Sequence, residues 1–131
     1  MTAVERYFFT PLYYPRGLWS VVRWWESRRL VFNMVVGSAG ILSVTTVMTI
    51  TRLPPQASSA PFPFLGIVVY GILANLCYSL GPLADLGLRR FLDDRAPAVG
   101  TVLLRYGFVF SVGLTLLPIP LAMLGWLIRL F

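Results

Sequence analysis

Three long apolar blocks, separated by short polar connections, dominate the pattern of hydrophobic and polar positions along the chain. They cover residues 30–50, 64–83 and 106–128, and none of them contains Asp, Glu, Arg, Lys or His. About 20 helical residues cross a hydrocarbon core about 30 Å thick, and each block reaches this length. Prolines 54 and 55 follow the first block, prolines 61 and 63 precede the second, and we expect the second helix to stop at Pro82, because proline ends a helix. The pattern predicts an all-α integral membrane protein with three transmembrane helices.

The first 29 residues predict an arm that precedes a transmembrane domain of residues 30–131. In a helix over residues 18–29, Leu18, Val21, Val22 and Trp25 share one face, as in amphipathic helices that lie in the membrane interface. Trp rings and Arg guanidinium groups favour the lipid headgroup layer. We therefore predict that the arm is anchored in that layer by Arg16, Trp19, Arg23, Trp24, Trp25, Arg28 and Arg29. A docking site for a partner protein is the alternative role of this arm.

The placement of arginine predicts the orientation. Nine of the eleven arginines lie before the first block or between the second and third blocks, and only Arg52 and Arg129 lie on the other side. Because positively charged short loops stay in the cytoplasm, we predict a bacterial inner-membrane protein with a cytoplasmic N-terminus and a periplasmic C-terminus. A cleaved signal peptide is the competing interpretation, but the first block has 21 residues where a signal sequence has about 7 to 15 apolar residues.

Few polar side chains interrupt the apolar blocks. Asn33 in the first block and Asn75 and Tyr78 in the second all lie near the predicted cytoplasmic side. We predict intramembrane polar contacts at these residues, with a hydrogen bond between Asn33 and Asn75. Such bonds stabilise membrane proteins by about 0.6 kcal/mol on average. In the alternative interpretation, Asn75, Tyr78 and Tyr70 hold the polar head of a lipid, quinone or pigment.

Small residues mark faces at which helices approach each other closely. Gly37 and Gly40 form such a face in the first block, and Gly107, Ser111 and Thr115 recur every four residues in the third. The pattern predicts helix packing there, either within this chain or against a different subunit. The prolines at positions 118 and 120 remove backbone donors, so we also predict a kink or loosening in the outer third of the last helix.

The composition excludes most cofactor chemistry. Of the residues, 57% are hydrophobic and 12% are charged, all eleven basic residues are Arg, and the chain has no His and one Cys. It therefore lacks the usual haem or zinc ligand, the Lys of a Schiff base and a second Cys for a disulfide. We predict no catalytic residue, no metal and no ligated cofactor; contact with a lipid, quinone or pigment stays open.

Charged residues near the blocks favour structural interpretations. Glu26 is spaced for an ordinary i,i+3 ion pair with Arg23 or Arg29. Asp93 and Asp94 suggest a Mg²⁺ site, but the flanking arginines favour a salt-bridged turn. The net charge of +6 is explained by membrane topology and phosphate contacts, and we predict no nucleic-acid partner.

Three segments resemble small, functionally uncharacterised multi-pass membrane proteins of bacteria. They are residues 13–16 (YYPR), residues 24–29 (WWESRR) followed by Asn33, and residues 75–81 (NLCYSLG). The resemblance covers about residues 7–81 and implies a bacterial inner membrane without implying an activity. If these segments are motifs, they imply that the arm meets an intramembrane polar cluster at the cytoplasmic interface.

These patterns favour a non-catalytic accessory or structural subunit of a larger integral-membrane complex, packed against other subunits and lipids. An energy-converting assembly, photosynthetic or respiratory, is the host we expect from the size and composition of the chain. A small lipid-modifying enzyme is the first alternative, because bacterial diacylglycerol kinase has a comparable plan of an interfacial helix and three spans. That family's pattern is rich in Glu, Asn and Lys, whereas this chain has no Lys. A small transporter or channel is the second alternative.

Overall fold

The structure, a computed structural model, describes residues 2–10, 17–55, 61–91 and 99–131. Within these ranges the chain forms helices and no strands; the helices are α1 (Ala3–Phe9), α2 (Leu18–Thr51), α3 (Phe64–Phe91), α4 (Val99–Leu116) and α5 (Pro118–Leu130). Three segments are long and apolar enough to cross a membrane: Leu18–Thr51, Phe64–Leu88 and Val99–Leu130. The predicted fold class, three spans with a short helix before them, is confirmed.

The short N-terminal helix differs from the predicted one. It is α1, which begins with a capping box in which the Thr2 side chain accepts a hydrogen bond from the Glu5 backbone N–H, and Glu5 Oε2 accepts one from the Thr2 N–H at 2.7 Å. The predicted helix over residues 18–29 forms, but it is the first part of α2, which runs without a break from Leu18 to Thr51, and not a separate helix. No proline or glycine lies between Leu18 and Gly37 to end a helix near residue 29.

The second and third spans are also longer than predicted. The expected stop at Pro82 is wrong, since α3 continues through this proline to Phe91. Proline inside a helix removes one hydrogen bond and costs about 3 kcal/mol, so tertiary packing beyond Pro82 must offset that loss. The third span begins at Val99 rather than at Tyr106, and Arg105 therefore lies inside α4.

The predicted loosening of the third span is confirmed at Leu117, where a turn separates α4 from α5. Pro118 has no N–H to donate to the preceding turn. The Leu117 N–H still bonds the Gly113 carbonyl at 3.0 Å, and the Leu121 N–H reaches the Leu117 carbonyl at 3.5 Å. The interruption is therefore local, and α4 and α5 together form the third span.

Side-chain burial is concentrated at one end of the bundle, where α2 begins, α3 ends and α4 begins. We call it the arginine-rich end. Its core contains Val21, Trp24, Trp25, Phe32, Val36, Tyr78 and Leu104. In the most apolar 18-residue stretch of each of the three spans, by contrast, only 17%, 6% and 6% of the residues are buried. No residue of α5 is buried. At the opposite end, Trp126 Nε1 donates to the Pro54 carbonyl at 3.0 Å.

Gly81 allows α2 and α3 to approach closely at the arginine-rich end. A Cβ atom at this position would lie 2.5 Å from the nearest atom of the Trp25 indole. Because Trp25 is only 2% exposed, the ring has no room to move away. The sequence pattern did not identify Gly81 as a packing residue; its partner is a ring 56 positions earlier in the chain.

We predict that Gly81→Ala lowers the free energy of unfolding by about 1–3 kcal/mol, because the added methyl group overpacks the site. The loss should exceed the gain of about 1 kcal/mol that alanine brings to a helix. Gly87→Ala is the matched control, since a Cβ there meets no atom within 4 Å. Thermal unfolding of both variants in detergent micelles measures the difference. Equal melting temperatures for the two would contradict the packing described here.

Candidate functional site

A cluster of aromatic and charged side chains joins α2 to α3 at the arginine-rich end. Trp25 Nε1 donates to Asp85 Oδ2 at 3.1 Å, and the Tyr78 hydroxyl donates to the Trp25 carbonyl at 2.7 Å. The rings of Trp25 and Tyr78 meet edge to face, with centroids 5.6 Å apart. Asp85 is 1% exposed and packs against Gly100 at the start of α4. These contacts tie three helices together, and we call them the Trp25 cluster.

Arg28 extends the Trp25 cluster toward α1. It is only 7% exposed, and its guanidinium lies 4.0 Å from the centroid of Trp24 and 5.1 Å from that of Tyr7. Its Nη1 donates to the Trp24 carbonyl at 2.9 Å, and its Nη2 donates to the Tyr7 carbonyl. Carbonyl dipoles and ring faces thus surround the charge, as burial of a cation requires.

The predicted anchoring in the headgroup layer therefore fails for three residues. Trp24, Trp25 and Arg28 are buried against other parts of the protein: Trp25 packs on α3, Trp24 lies beside Gly100 of α4, and Arg28 contacts Tyr7 of α1. Trp19, which is 80% exposed, and the exposed Arg23 face outward, and their anchoring role stays a prediction. Arg16 lies outside the described residues.

Arg29 is only partly buried, and it contacts residues of both α2 and α3. Its Nη2 donates to Glu26 Oε1 at 2.7 Å and to Ser79 Oγ at 3.0 Å, so the ion pair expected of Glu26 forms with Arg29. The Arg29 guanidinium also lies 5.2 Å from the centroid of the Tyr78 ring. Its Nε atom is buried and has no hydrogen-bond partner among the described residues.

The predicted hydrogen bond between Asn33 and Asn75 is confirmed. Asn33 Nδ2 donates to Asn75 Oδ1 at 3.2 Å, and Asn75 Nδ2 donates to the Gly71 carbonyl at 3.0 Å. Arg29 and Ser79 lie one helical turn away on the same two helices, so the two pairs form successive polar bridges between α2 and α3. We call Arg29, Ser79, Asn33 and Asn75 the polar ladder.

Beyond the polar ladder, a groove of about 480 Å³ opens between α2, α3 and α4. We call it the intramembrane groove. Its walls are mostly apolar or glycine, with Asn33 and Asn75 at one end. Tyr70 and Thr115 are among its lining residues, and a hydrogen bond between the Tyr70 hydroxyl and Thr115 Oγ1 joins α3 to α4 there. The glycines that line it are Gly37, Gly40, Gly66 and Gly71.

A second, shallower groove lies on the other side of Asn75. Its volume is about 500 Å³, and its lining residues are Arg29, Val68, Gly71, Ile72, Asn75, Leu76 and Ser79. We call it the lateral groove. Gly71 and Asn75 border both grooves, and a Cβ at Gly71 would meet no atom within 4 Å. The two grooves therefore share a low common wall.

The small residues predicted to pack against other helices do so at Gly40 but not at Gly37 or Gly107. Gly40 packs on Thr115, since a Cβ at Gly40 would lie 3.8 Å from Thr115 Cγ2, and the Ser111 carbonyl accepts the Thr115 hydroxyl at 2.6 Å. A Cβ at Gly37 or Gly107, by contrast, would meet no atom within 4 Å. The described part of this chain therefore supplies no close helix at these two glycines, and their packing against a different subunit stays a prediction.

The three residues of the alternative interpretation, which would hold the polar head of a lipid, quinone or pigment, do not lie together. Asn75 and Tyr70 border the intramembrane groove, but Tyr78 is buried in the Trp25 cluster and donates its hydroxyl to a backbone carbonyl. The three side chains therefore do not converge on one ligand. Asp93 and Asp94 lie outside the described residues, among which no group of three or more His, Cys, Asp or Glu side chains could hold a metal ion.

The sequence interpretation missed two residues that matter at this site. Asp85 follows the second apolar block in the sequence, but it lies inside α3 and binds the indole of Trp25. Ser79, a hydroxyl residue within that block, is the residue on α3 that meets Arg29. The available signal was helical spacing, because Ser79 and Asn75 are four residues apart, as are Arg29 and Asn33.

No protein-family model, curated protein or solved structure matches this chain.

We predict that Asp85→Leu lowers the free energy of unfolding by about 1–3 kcal/mol, because the buried indole donor of Trp25 loses its acceptor. Asp85→Asn is the matched control, since it keeps the size of the side chain and an acceptor oxygen, and it should lose clearly less. Unfolding of both variants by a graded detergent titration, followed by tryptophan fluorescence, compares them. Equal losses would mean that the Trp25 contact contributes nothing specific.

We predict that Asn75→Leu lowers the thermal stability of the protein. In a double-mutant cycle with Asn33→Leu, the coupling free energy should be about 0.6 kcal/mol, the average for hydrogen bonds inside membranes. Asn75→Leu combined with Ser38→Ala serves as the control, because Ser38 bonds only a carbonyl of its own helix, that of Met34. Additive effects in the Asn33–Asn75 cycle would refute the stabilising role of this hydrogen bond.

Proposed function

We propose that the chain is a non-catalytic accessory subunit of a larger integral-membrane complex. The observation that carries this proposal is the uneven packing of its spans. The arginine-rich end is tightly packed, whereas only 6% of the residues are buried in the most apolar 18-residue stretch of the second span and of the third. Three helices with so little mutual burial leave most of their apolar surface available to other subunits and lipids.

The open glycines support the same proposal. Gly107 lies exposed on α4, beside the exposed Tyr106 and near Phe110, and a Cβ there would meet nothing. In membranes, where helices gain no hydrophobic driving force on association, small residues favour close helix contact through backbone packing. An exposed glycine flanked by large side chains is thus a suitable contact for a helix of another subunit.

The arrangement of the arginines supports a cytoplasmic location for the arginine-rich end. Nine arginines precede the first apolar block or lie between the second and third, and such clusters are retained on the cytoplasmic side of bacterial inner membranes. The proposed orientation therefore has the N-terminus in the cytoplasm and the C-terminus in the periplasm. For the host complex we propose an energy-converting assembly, photosynthetic or respiratory, as the composition suggests.

The proposal is tested by purifying the tagged chain from its native host in mild detergent. We expect it to co-purify with other integral membrane proteins in a particle much larger than its own mass of 14.7 kDa. Gly107→Leu should reduce this recovery severalfold, because the added side chain separates the helices at the proposed contact. Val109→Leu is the control, since it changes an exposed apolar side chain on the same helix without filling a glycine.

Two outcomes would overturn the proposal. Recovery of the chain as a lone homo-oligomer that phosphorylates lipid with ATP would establish the enzyme alternative. Ion flux through liposomes that contain only this chain would establish the transporter alternative.

A further inference from the structure

We propose that the polar ladder and its two grooves form a binding site for one anionic phospholipid from the leaflet at the arginine-rich end. In this site the phosphate contacts Arg29, and the acyl chains lie in the intramembrane and lateral grooves. The site belongs to this chain alone and does not depend on its proposed role as a subunit.

Arg29 has the chemistry and the position for the phosphate. Its guanidinium carries five N–H donors, and its hydrogen bonds among the described residues engage Nη2 alone. The side chain is 29% exposed, which leaves it accessible at the edge of the lateral groove. Glu26, which pairs with it, is itself 49% exposed, so solvent screening weakens that pair. Ser79 adds a hydroxyl beside the guanidinium.

The charge at this end matches an anionic headgroup rather than a zwitterionic one. In the sequence, nine arginines and all five acidic residues precede the first apolar block or lie between the second and third, which gives these segments an excess of positive charge. Each basic residue near an anionic membrane surface adds about 1 kcal/mol of attraction. At the arginine-rich end, Arg29 lines a groove that continues along the apolar surface of α3.

The two grooves have the dimensions of hydrocarbon chains. The intramembrane groove follows α2 from Asn33 to Thr45, a distance of about 18 Å at the helical rise of 1.5 Å per residue. Half of a bilayer core is about 15 Å thick, so an acyl chain from one leaflet spans most of this length. The lateral groove offers a parallel apolar path along Val68, Ile72 and Leu76.

A transmembrane helix of a partner fits this space less well than a lipid does. A helix with its side chains is about 10 Å across, and over the length of the groove it would occupy more than about 1,000 Å³. The intramembrane groove holds about 480 Å³, so a helix would insert only a ridge of side chains. Because the wall between the two grooves is low at Gly71, two acyl chains that leave one headgroup can enter one groove each. A phospholipid has this arrangement.

The test uses the purified full-length chain, exchanged into nanodiscs of equal parts phosphatidylglycerol and phosphatidylcholine and released for native mass spectrometry. We expect the protein to retain one phosphatidylglycerol with about tenfold preference over phosphatidylcholine. Arg29→Gln should reduce this preference to about twofold or less, whereas Arg29→Lys, which keeps the charge, should retain most of it. Arg23→Gln is the matched charge control, because Arg23 is exposed on the same helix and does not line either groove; it removes the same surface charge and should lower the preference clearly less than Arg29→Gln does.

The acyl chains are tested separately. Gly71→Leu fills the common wall without a clash from its Cβ and should lower phosphatidylglycerol retention at least fivefold. Gly113→Leu, at an equally open glycine of α4 outside both grooves, should not. Melting temperatures of all variants identify any that lose their fold. If Arg29→Gln is one of these, the lipid preference of Arg29→Lys shows whether a positive charge at this position binds the headgroup.

Equal retention of the two lipids by the unmodified chain would overturn the proposal, as would normal retention by Gly71→Leu. If Gly71→Leu instead leaves the lipid bound but abolishes co-purification with other subunits, the groove accommodates a protein helix and the lipid site is excluded. Loss of subunit recovery by Gly107→Leu with intact lipid retention would affect only the proposed function.

Discussion

The position of the Trp25 indole constrains the whole arginine-rich end. The ring fills the space that the absence of a side chain at Gly81 leaves open, its N–H bonds Asp85, and its backbone carbonyl accepts the Tyr78 hydroxyl. Asp85 in turn packs on Gly100, so one side chain of α2 fixes two neighbouring helices. Because α3 continues to residue 91 only with this packing beyond Pro82, the length of the second span and the location of the core both follow from that contact.

The polar ladder and the grooves follow from the same constraint. Holding α2 and α3 together at Trp25 places Arg29 against Ser79 and, one turn further, Asn33 against Asn75. Past these bridges the facing residues are glycines, and a Cβ at Gly37 or Gly71 would meet nothing. Small residues here therefore leave a groove instead of closing the helices, while Gly40 makes an ordinary contact with Thr115. Whether small residues yield contact or space depends on where the large side chains fix the helix axes.

The features that depend on local composition could be predicted from the sequence. The features that depend on contacts between distant residues could not. The three spans and the loosening at Pro118 follow from apolar length and from a missing backbone donor. The Asn33–Asn75 bond follows from the cost of leaving amides unpaired at similar depths in lipid. The end of α3 and the burial of Trp24, Trp25 and Arg28 depend on contacts with other helices, such as Asp85 for Trp25 and Tyr7 for Arg28. An aromatic, arginine-rich segment has the same composition whether it faces lipid or protein.

The uneven packing of the bundle also has a mechanical consequence. Around the Trp25 cluster, helix spacing is set by close-packed rings and hydrogen bonds, so this end is stiff. The first residues of α3 are exposed and no residue of α5 is buried, although α5 lies along α2. There few buried side chains hold the helices at a set distance, so the lateral pressure of the surrounding hydrocarbon has more influence on their separation. We expect a change in bilayer thickness or acyl-chain order to deform this end more than the end held by the Trp25 cluster.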